Sequence, residues 1–422
     1  MKLGRKTAGL ATFSLRRGAL SAGSILAASL AAASLLSGCG DFWQAPATTA
    51  STTTCTTDCS TATSGNFFIL NAGSTPQVVG ESVVSGTTLA QTTGSPWAVN
   101  GTPYAMAINP TGTFLMVSST SGVYAYPVSD GQLGTAVNVT GDQTAYGVAV
   151  DATGSWLIEA IPGAAIGSVA LGAIPINTST GAGVGAEQNV SFNVTNATLQ
   201  TNRLVISGDN DHIFVSLGAG GTLVVPFNAN VASGGNPLGT TATTIPVVST
   251  SGQALSVAVD PGTTPRVFYI GETLASGGTT GGVRVFNYSS LGTTTLTQAT
   301  GSPIASGGLA PNFLLPTADG NYVYAANGTG ASSAGNITGF TITASSAATP
   351  VYTITTGSTT AAGVQPLAMA EDATDAFVVE VGSLGSPYLD VYAFDSSILG
   401  QLDSQVTSTT SAGSIAIVAE PY

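Results

Sequence analysis

The chain has 422 residues, of which 7% are charged and 43% hydrophobic, with 54 glycines and a formal net charge of −13. This profile excludes a solvated disordered chain, which needs high charge and few apolar residues. It also excludes a mainly helical one, because Gly, Thr and Val disfavour helix and suit strands joined by tight turns.

The first 38 residues predict a secretory signal. Lys2, Arg5, Lys6, Arg16 and Arg17 give it a basic start without any acid, and residues 19–37 form an uncharged run rich in Ala and Leu. The run ends in Leu36-Ser37-Gly38-Cys39, which resembles a bacterial lipobox. That resemblance implies cleavage before Cys39 and a diacylglyceryl group on its sulfur. An uncleaved anchor is the alternative, since the apolar run is near the lower limit for spanning a bilayer. Residue 40 is Gly rather than Asp, which in lipoproteins of this type favours the outer membrane or cell surface. The expectation is an exported protein held in the bacterial envelope by lipid alone.

Residues 39–64 read as a Thr/Ser-rich tether that buries too little apolar surface to order itself. Cys55 and Cys59 lie within it. A small disulfide loop fits an oxidising compartment, and a reduced, idle pair is the alternative. No metal site is expected, because two thiols lack further ligands nearby.

After residue 39, three arginines (Arg203, Arg266, Arg284) stand against all 21 acids, a balance of −18. Such a surface offers nothing for nucleic acid or anionic lipid headgroups. Solubility is one reading of the acidity. Life in an acidic medium, where many carboxylates would be neutral, is another.

Residues 65–422 repeat one unit: an apolar run, an Asn/Asp-type turn with Gly, then an aromatic-led strand. It is seen in 103–117 (PYAMAINPTGTFLMV), 145–159, 202–216, 254–270, 311–325 and 366–380. Further strands follow each unit, so four antiparallel strands recur at about fifty residues, the pattern of propeller blades. The chain ends on SIAIVAEPY, residues 414–422, which matches the first strand of a unit. The body begins on SGNFFILNAG, residues 64–73, which matches the turn and second strand, with Asn66-Phe67-Phe68 set against Thr113-Phe114-Leu115. Six whole units and this composite predict an all-β, seven-bladed β-propeller of four-stranded antiparallel blades. The C-terminal strand closes it by joining the N-terminal three. Two β-sandwiches are the alternative, but they do not explain complementary ends.

Asn109-Pro110-Thr111-Gly112-Thr113-Phe114-Leu115 and Asp319-Gly320-Asn321-Tyr322-Val323-Tyr324 resemble YVTN-type β-propeller repeats and the wider lactonase-like seven-bladed propellers, which include the 6-phosphogluconolactonase type. The resemblance implies a sugar-lactone hydrolase with channel residues of His, Arg and Glu type. No matching set can be placed in this sequence.

Tyr104, Tyr146, Arg203, Leu255, Asn312 and Leu367 fall at the start of successive first strands, which line the channel of a propeller at its mouth. Arg203, Tyr104, Tyr146 and Asn312, with the nearby Trp97, are therefore the candidate ligand-binding residues for a small molecule, carbohydrate or protein. The alternative is that the aromatics fill gaps between blades and Arg203 pairs with a nearby acid. His212, the only histidine, is expected as an exposed turn residue. Asp209-Asn210-Asp211 reads as turn chemistry rather than a calcium loop. Asn109, Asp151, Asp260, Asp372 and Glu420 share one repeat position, which argues for a structural turn role. No cofactor is expected. The reading is a monomeric binding or scaffold module, with lactone hydrolysis as the alternative.

Overall fold

The computed structural model describes residues 63–421 except 85–87, 166, 233, 262–265, 290–294, 329–333, 345–351, 373–376, 386–388, 396–397, 399 and 409–412. The signal, Cys39, Cys55 and Cys59 lie outside the described residues. Those residues form strands, turns and loops without helix, arranged as seven four-stranded antiparallel blades of a β-propeller.

Blade 1 is the composite one. Its strands, from the channel outwards, are Ser414–Ala419, Thr63–Asn71, Gln77–Val84 and Thr88–Gln91. Blades 2 to 5 each begin with an innermost strand: Pro103–Ile108, Gly147–Val150, Leu204–Ile206 and Ala254–Val259. Blade 6 begins with Ala310–Pro316. The innermost strands touch in sequence around the ring, and Ser414–Ala419 lies between those of blades 7 and 2.

Closure follows the expected pairing. Phe68 is opposite Val418 and Leu70 opposite Ala416. The Glu420 amide donates to the Asn66 carbonyl at 2.9 Å, and the Glu420 carboxylate accepts from Asn66 Nδ2 at 2.9 Å and from the Gly131 amide of blade 2 at 3.1 Å. The tail thereby ties blade 1 to its neighbour as well as to itself. Without the tail, Thr63–Asn71 would be left as an open edge of blade 1.

Strand alternation places every second side chain on one face of a blade, and those faces meet between blades. Among the described residues seven apolar clusters form, one at each blade junction. Between blades 4 and 5, for example, Phe214, Phe268, Phe286 and Tyr288 pack with ring centroids 4.5–6.0 Å apart. Each large apolar side chain removed from water this way contributes about 1.5–3 kcal/mol.

In blades 2, 3, 4 and 6 the turn after the innermost strand is capped by its first residue. The Phe114 amide donates to Asn109 Oδ1 at 2.9 Å, and those of Ser155 and Trp156 to Asp151 Oδ1 at 2.8 and 2.7 Å. His212 and Tyr322 amides donate to Ser207 Oγ and Thr317 Oγ at 2.9 and 3.1 Å. Three residues past each cap the backbone turns left-handed, at Gly112, Gly154, Asn210 and Gly320 with φ between 57° and 70°. Gly suits that conformation because it has no Cβ, and Asn tolerates it.

Two features differ from the sequence reading. The register at the N-terminus is one residue off: Phe67 pairs with Ala419 as Leu115 pairs with Ile108, so Phe67 corresponds to Leu115 rather than Phe114. Blades 6 and 7 are not separated by a turn either. One strand, Tyr352–Glu371, pairs first with Ala334–Ala344 as the outermost strand of blade 6. It then pairs with Phe377–Gly385 as the innermost strand of blade 7. Register irregularities around Val364–Ala368 mark where it changes partner.

Candidate functional site

Cross-strand register fixes which residues share a level at the channel mouth. Met106 is opposite Val117, Leu204 opposite Val215 and Val257 opposite Ile270. The outermost level is therefore Tyr104, Tyr146, Asn202, Leu255, Asn312, Leu367 and Ile415. Arg203 is one residue deeper, at the level of Ala105, Gly147, Ser256, Phe313, Ala368 and Ala416. The repeat pattern of the sequence sets Arg203 beside the tyrosines. The polar His212 reads as a turn residue but begins the strand, and this moves blade 4 by one place.

Arg203 is 7% exposed. Its guanidinium donates to three main-chain carbonyls: Nε to Leu255 at 2.9 Å, Nη1 to Asn202 at 2.8 Å and Nη2 to Leu367 at 2.8 Å. These belong to blades 5, 4 and 7, so one side chain draws together carbonyls from distant parts of the ring. The group also lies over the Phe313 ring, 5.3 Å from its centroid, where the ring face attracts a cation. Burial lowers its pKa to about 10, which leaves it charged at neutral pH.

The other cations differ. Arg266 pairs with Asp209 and, at 3.4 Å, with Asp211, and Arg284 pairs with Glu272 at 3.1 Å. Among the described residues Arg203 alone of the three arginines has no carboxylate partner. An isolated charge away from water is costly. Carbonyl dipoles offset part of that cost, and three hydrogen bonds use three of the five N–H donors.

Tyr104 and Tyr146, both half-buried, stack with centroids 4.6 Å apart and planes at 30°. Burial, and then the charge of the neighbouring Tyr146, raise the Tyr104 phenol above its ordinary value. Asn202 links this pair to Arg203: its amide donates to the Tyr146 carbonyl at 2.8 Å, while its own carbonyl accepts from Arg203. Asn312 Nδ2 donates to the Pro366 carbonyl at 2.9 Å, next to Leu367. The structure therefore gathers Arg203, Asn312, Tyr104 and Tyr146 at the mouth. It places Trp97 elsewhere, on a short outer strand of blade 1 opposite Val78, with its ring 6.3 Å from Phe68. Nothing in the repeat pattern singles out Asn202 or Phe313. Their adjacency to Arg203 on or across strands was the available signal.

No family model matches this chain, and no curated protein does. Solved structures do. A protein of unknown function from Desulfotomaculum acetoxidans aligns with a TM-score of 0.60 at 10% identity, covering 85% of this chain and 100% of its own. A Lactobacillus plantarum protein gives 0.59 at 15%, covering 84% and 99%. Hydrazine synthase of Kuenenia stuttgartiensis gives 0.51 at 15%, covering 80% and 98%. At these identities the likeness concerns the propeller fold and leaves the chemistry open.

The opposite rim holds the remaining candidates. His212 is fully buried rather than exposed. It takes the first place of its strand, where the other blades set Phe114, Trp156 and Tyr322, and its ring meets Tyr288 edge-on at 5.3 Å. Burial is the main cause lowering its pKa. Asp209 and Asp211 hold Arg266 of blade 5, and Asn210 bridges to Asp151 of blade 3 through Nδ2 at 3.2 Å. The Asp-Asn-Asp run thus fastens three neighbouring turns.

Proposed function

We propose that this protein is an envelope-anchored lipoprotein whose propeller binds an anionic small molecule at the channel mouth. The supporting observation is Arg203: a buried guanidinium held by neutral carbonyls in a body whose other arginines face carboxylates. A carboxylate or phosphate would supply the missing countercharge by charge-assisted hydrogen bonds. The stacked pair Tyr104–Tyr146 offers an apolar, hydroxyl-tipped wall beside it, suited to a sugar ring. A sugar acid or sugar phosphate combines both features.

Titration calorimetry with gluconate, glucose 6-phosphate and uncharged glucose tests this. Binding of either anion, with glucose silent, is expected, and Arg203→Lys should weaken it about tenfold or more by losing the planar fork. Equal binding of glucose, or no change in Arg203→Lys, would refute the site. Hydrolysis of a sugar lactone, which the YVTN and lactonase-like resemblance implies, is the second reading. Arg203 favours it by offering a cation to a developing oxyanion, and turnover of gluconolactone above the spontaneous rate would select it. For the anchor, Cys39→Ala should abolish incorporation of labelled lipid and release the protein from the membrane fraction.

A further inference from the structure

Two pairs of acids lie in blades 3 and 7, with Glu159, Glu380 and Asp390 buried and Glu187 half-buried, and the mouth does not use them. In blade 3, Glu159 is fully buried. Its Oε1 accepts from Gln143 Nε2 at 2.5 Å, and the same nitrogen donates to Glu187 Oε1 at 3.0 Å. The two carboxyl groups thus share one donor, and Glu159 Oε2 is buried without a hydrogen-bond partner. Gly172 stands opposite Glu159 on the next strand. A Cβ there would lie 2.4 Å from Glu187 Oε1 and 2.9 Å from Glu159 Cγ, so the space for the pair depends on that glycine.

In blade 7, Glu380 and Asp390 face each other across adjacent strands, 1% and 3% exposed. Glu380 Oε1 and Asp390 Oδ1 are both buried without a hydrogen-bond partner. Glu159 is opposite Val148 and Glu380 opposite Met369, each three residues before the turn residue, Asp151 or Asp372. Glu159 and Glu380 thus occupy the same position in blades 3 and 7, on the face toward the preceding blade, while their partners come from different places. Elsewhere that position holds Val117, Val215, Ile270 and Ala325.

Among the described residues no cation pairs with either set of acids. Glu187 is the charged group that faces Glu159. The inner strand presents Val148, the third strand Gly172, and blade 2 presents Phe114, Met116 and Ala125. Glu380 faces Asp390, Tyr392 and the Gly363 amide, with Met369 on the inner strand and Tyr324, Ala326 and Ile337 from blade 6.

We propose that Glu159–Glu187 and Glu380–Asp390 are proton-holding pairs that make this propeller more stable in an acidic medium than in a neutral or alkaline one. A buried carboxyl beside a second carboxylate and without a cation is costly to ionise, so Glu159 in one pair and Glu380 with Asp390 in the other hold a proton to higher pH than in water. Burial is the main cause that raises Glu159 and Glu380 to about 8 and Asp390 to about 6. In the unfolded chain these groups ionise near 4.5, or 3.8 for the aspartate. Between those values the folded state binds more protons than the unfolded one, so stability falls as pH rises. Each pair can lower the folding equilibrium constant by up to about tenfold per pH unit in that window.

The test is the thermal midpoint of the purified full chain between about pH 4.5 and pH 8.5, for wild type, E159Q, E380Q and the double variant. Glutamine mimics the protonated acid. The wild-type midpoint is expected to peak near pH 5 and fall steadily above it. The double variant should be flatter and should exceed wild type at pH 8.5. A wild-type optimum at neutral pH, or an undiminished fall in the double variant, would overturn the proposal. So would a midpoint at pH 8.5 that rises with millimolar calcium and loses that response in E380Q, since the pair would then hold a metal ion. Infrared spectra of the folded wild type give a readout that does not depend on the variants folding. A protonated-carboxyl band should persist above pH 6, and its absence would defeat the idea.

Discussion

The two rims of the propeller obey different rules. On the rim that follows the innermost strands, blades 2, 3, 4 and 6 repeat one device: a small polar side chain catches the amide five residues on, and a left-handed residue completes the turn. On the mouth rim, Tyr104, Tyr146, Asn202, Leu255, Asn312, Leu367 and Ile415 share little chemistry, and a single guanidinium lies beneath them. A turn that every blade must make leaves the backbone few solutions, so its residues recur. A surface with no such obligation is free to differ, and its exceptions point to recognition.

The largest expected effect comes from removing what both rims need. Deleting residues 414–422 strips the innermost strand from blade 1, leaving Phe67, Phe68, Ile69 and Leu70 on an open edge. Cooperative thermal unfolding should disappear and aggregation appear, and a synthetic peptide of those residues should restore the transition. Next comes Arg203→Ala, which orphans three carbonyls in the mouth and should cost about 3 kcal/mol or more in chemical denaturation. Asp151→Ala removes a cap that receives the Thr153, Ser155 and Trp156 amides. It should cost about 2 kcal/mol. If the repeated rim is interchangeable, Asn109→Ala and Thr317→Ala should fall within about 1 kcal/mol of that value by the same measurement. The smallest stability effect belongs to Tyr104→Phe, at about 0.5 kcal/mol or less for a half-buried hydroxyl. Its signature is a weaker anion titration at near-wild-type stability, which would sharpen the division between rims.

Much of this was legible in the chain. Complementary ends, SIAIVAEPY and NFFILNAG, announced a ring joined by its tail, and the blade count follows from them. Recurrence of Asn109, Asp151, Asp260 and Asp372 announced a turn role, and Asn109 and Asp151 are seen to cap. What failed was register. His212 is polar, so it read as turn, whereas its ring fills the aromatic place of Phe114 and Trp156. That slip carried Arg203 one level too high. The acid pairs were illegible for another reason. Gln143, Glu159, Gly172 and Glu187 meet only after four segments of blade 3 and its approach loop are brought together.

The strand Tyr352–Glu371 also sets how force can travel in this molecule. Where a flexible loop joins two blades, one can tilt while the other stays still. Here the joint is itself a hydrogen-bonded ribbon, and it carries the Leu367 carbonyl that grips Arg203. Blades 6 and 7 should swing together as one rigid leaf, with any shift of the central guanidinium geared directly to that leaf.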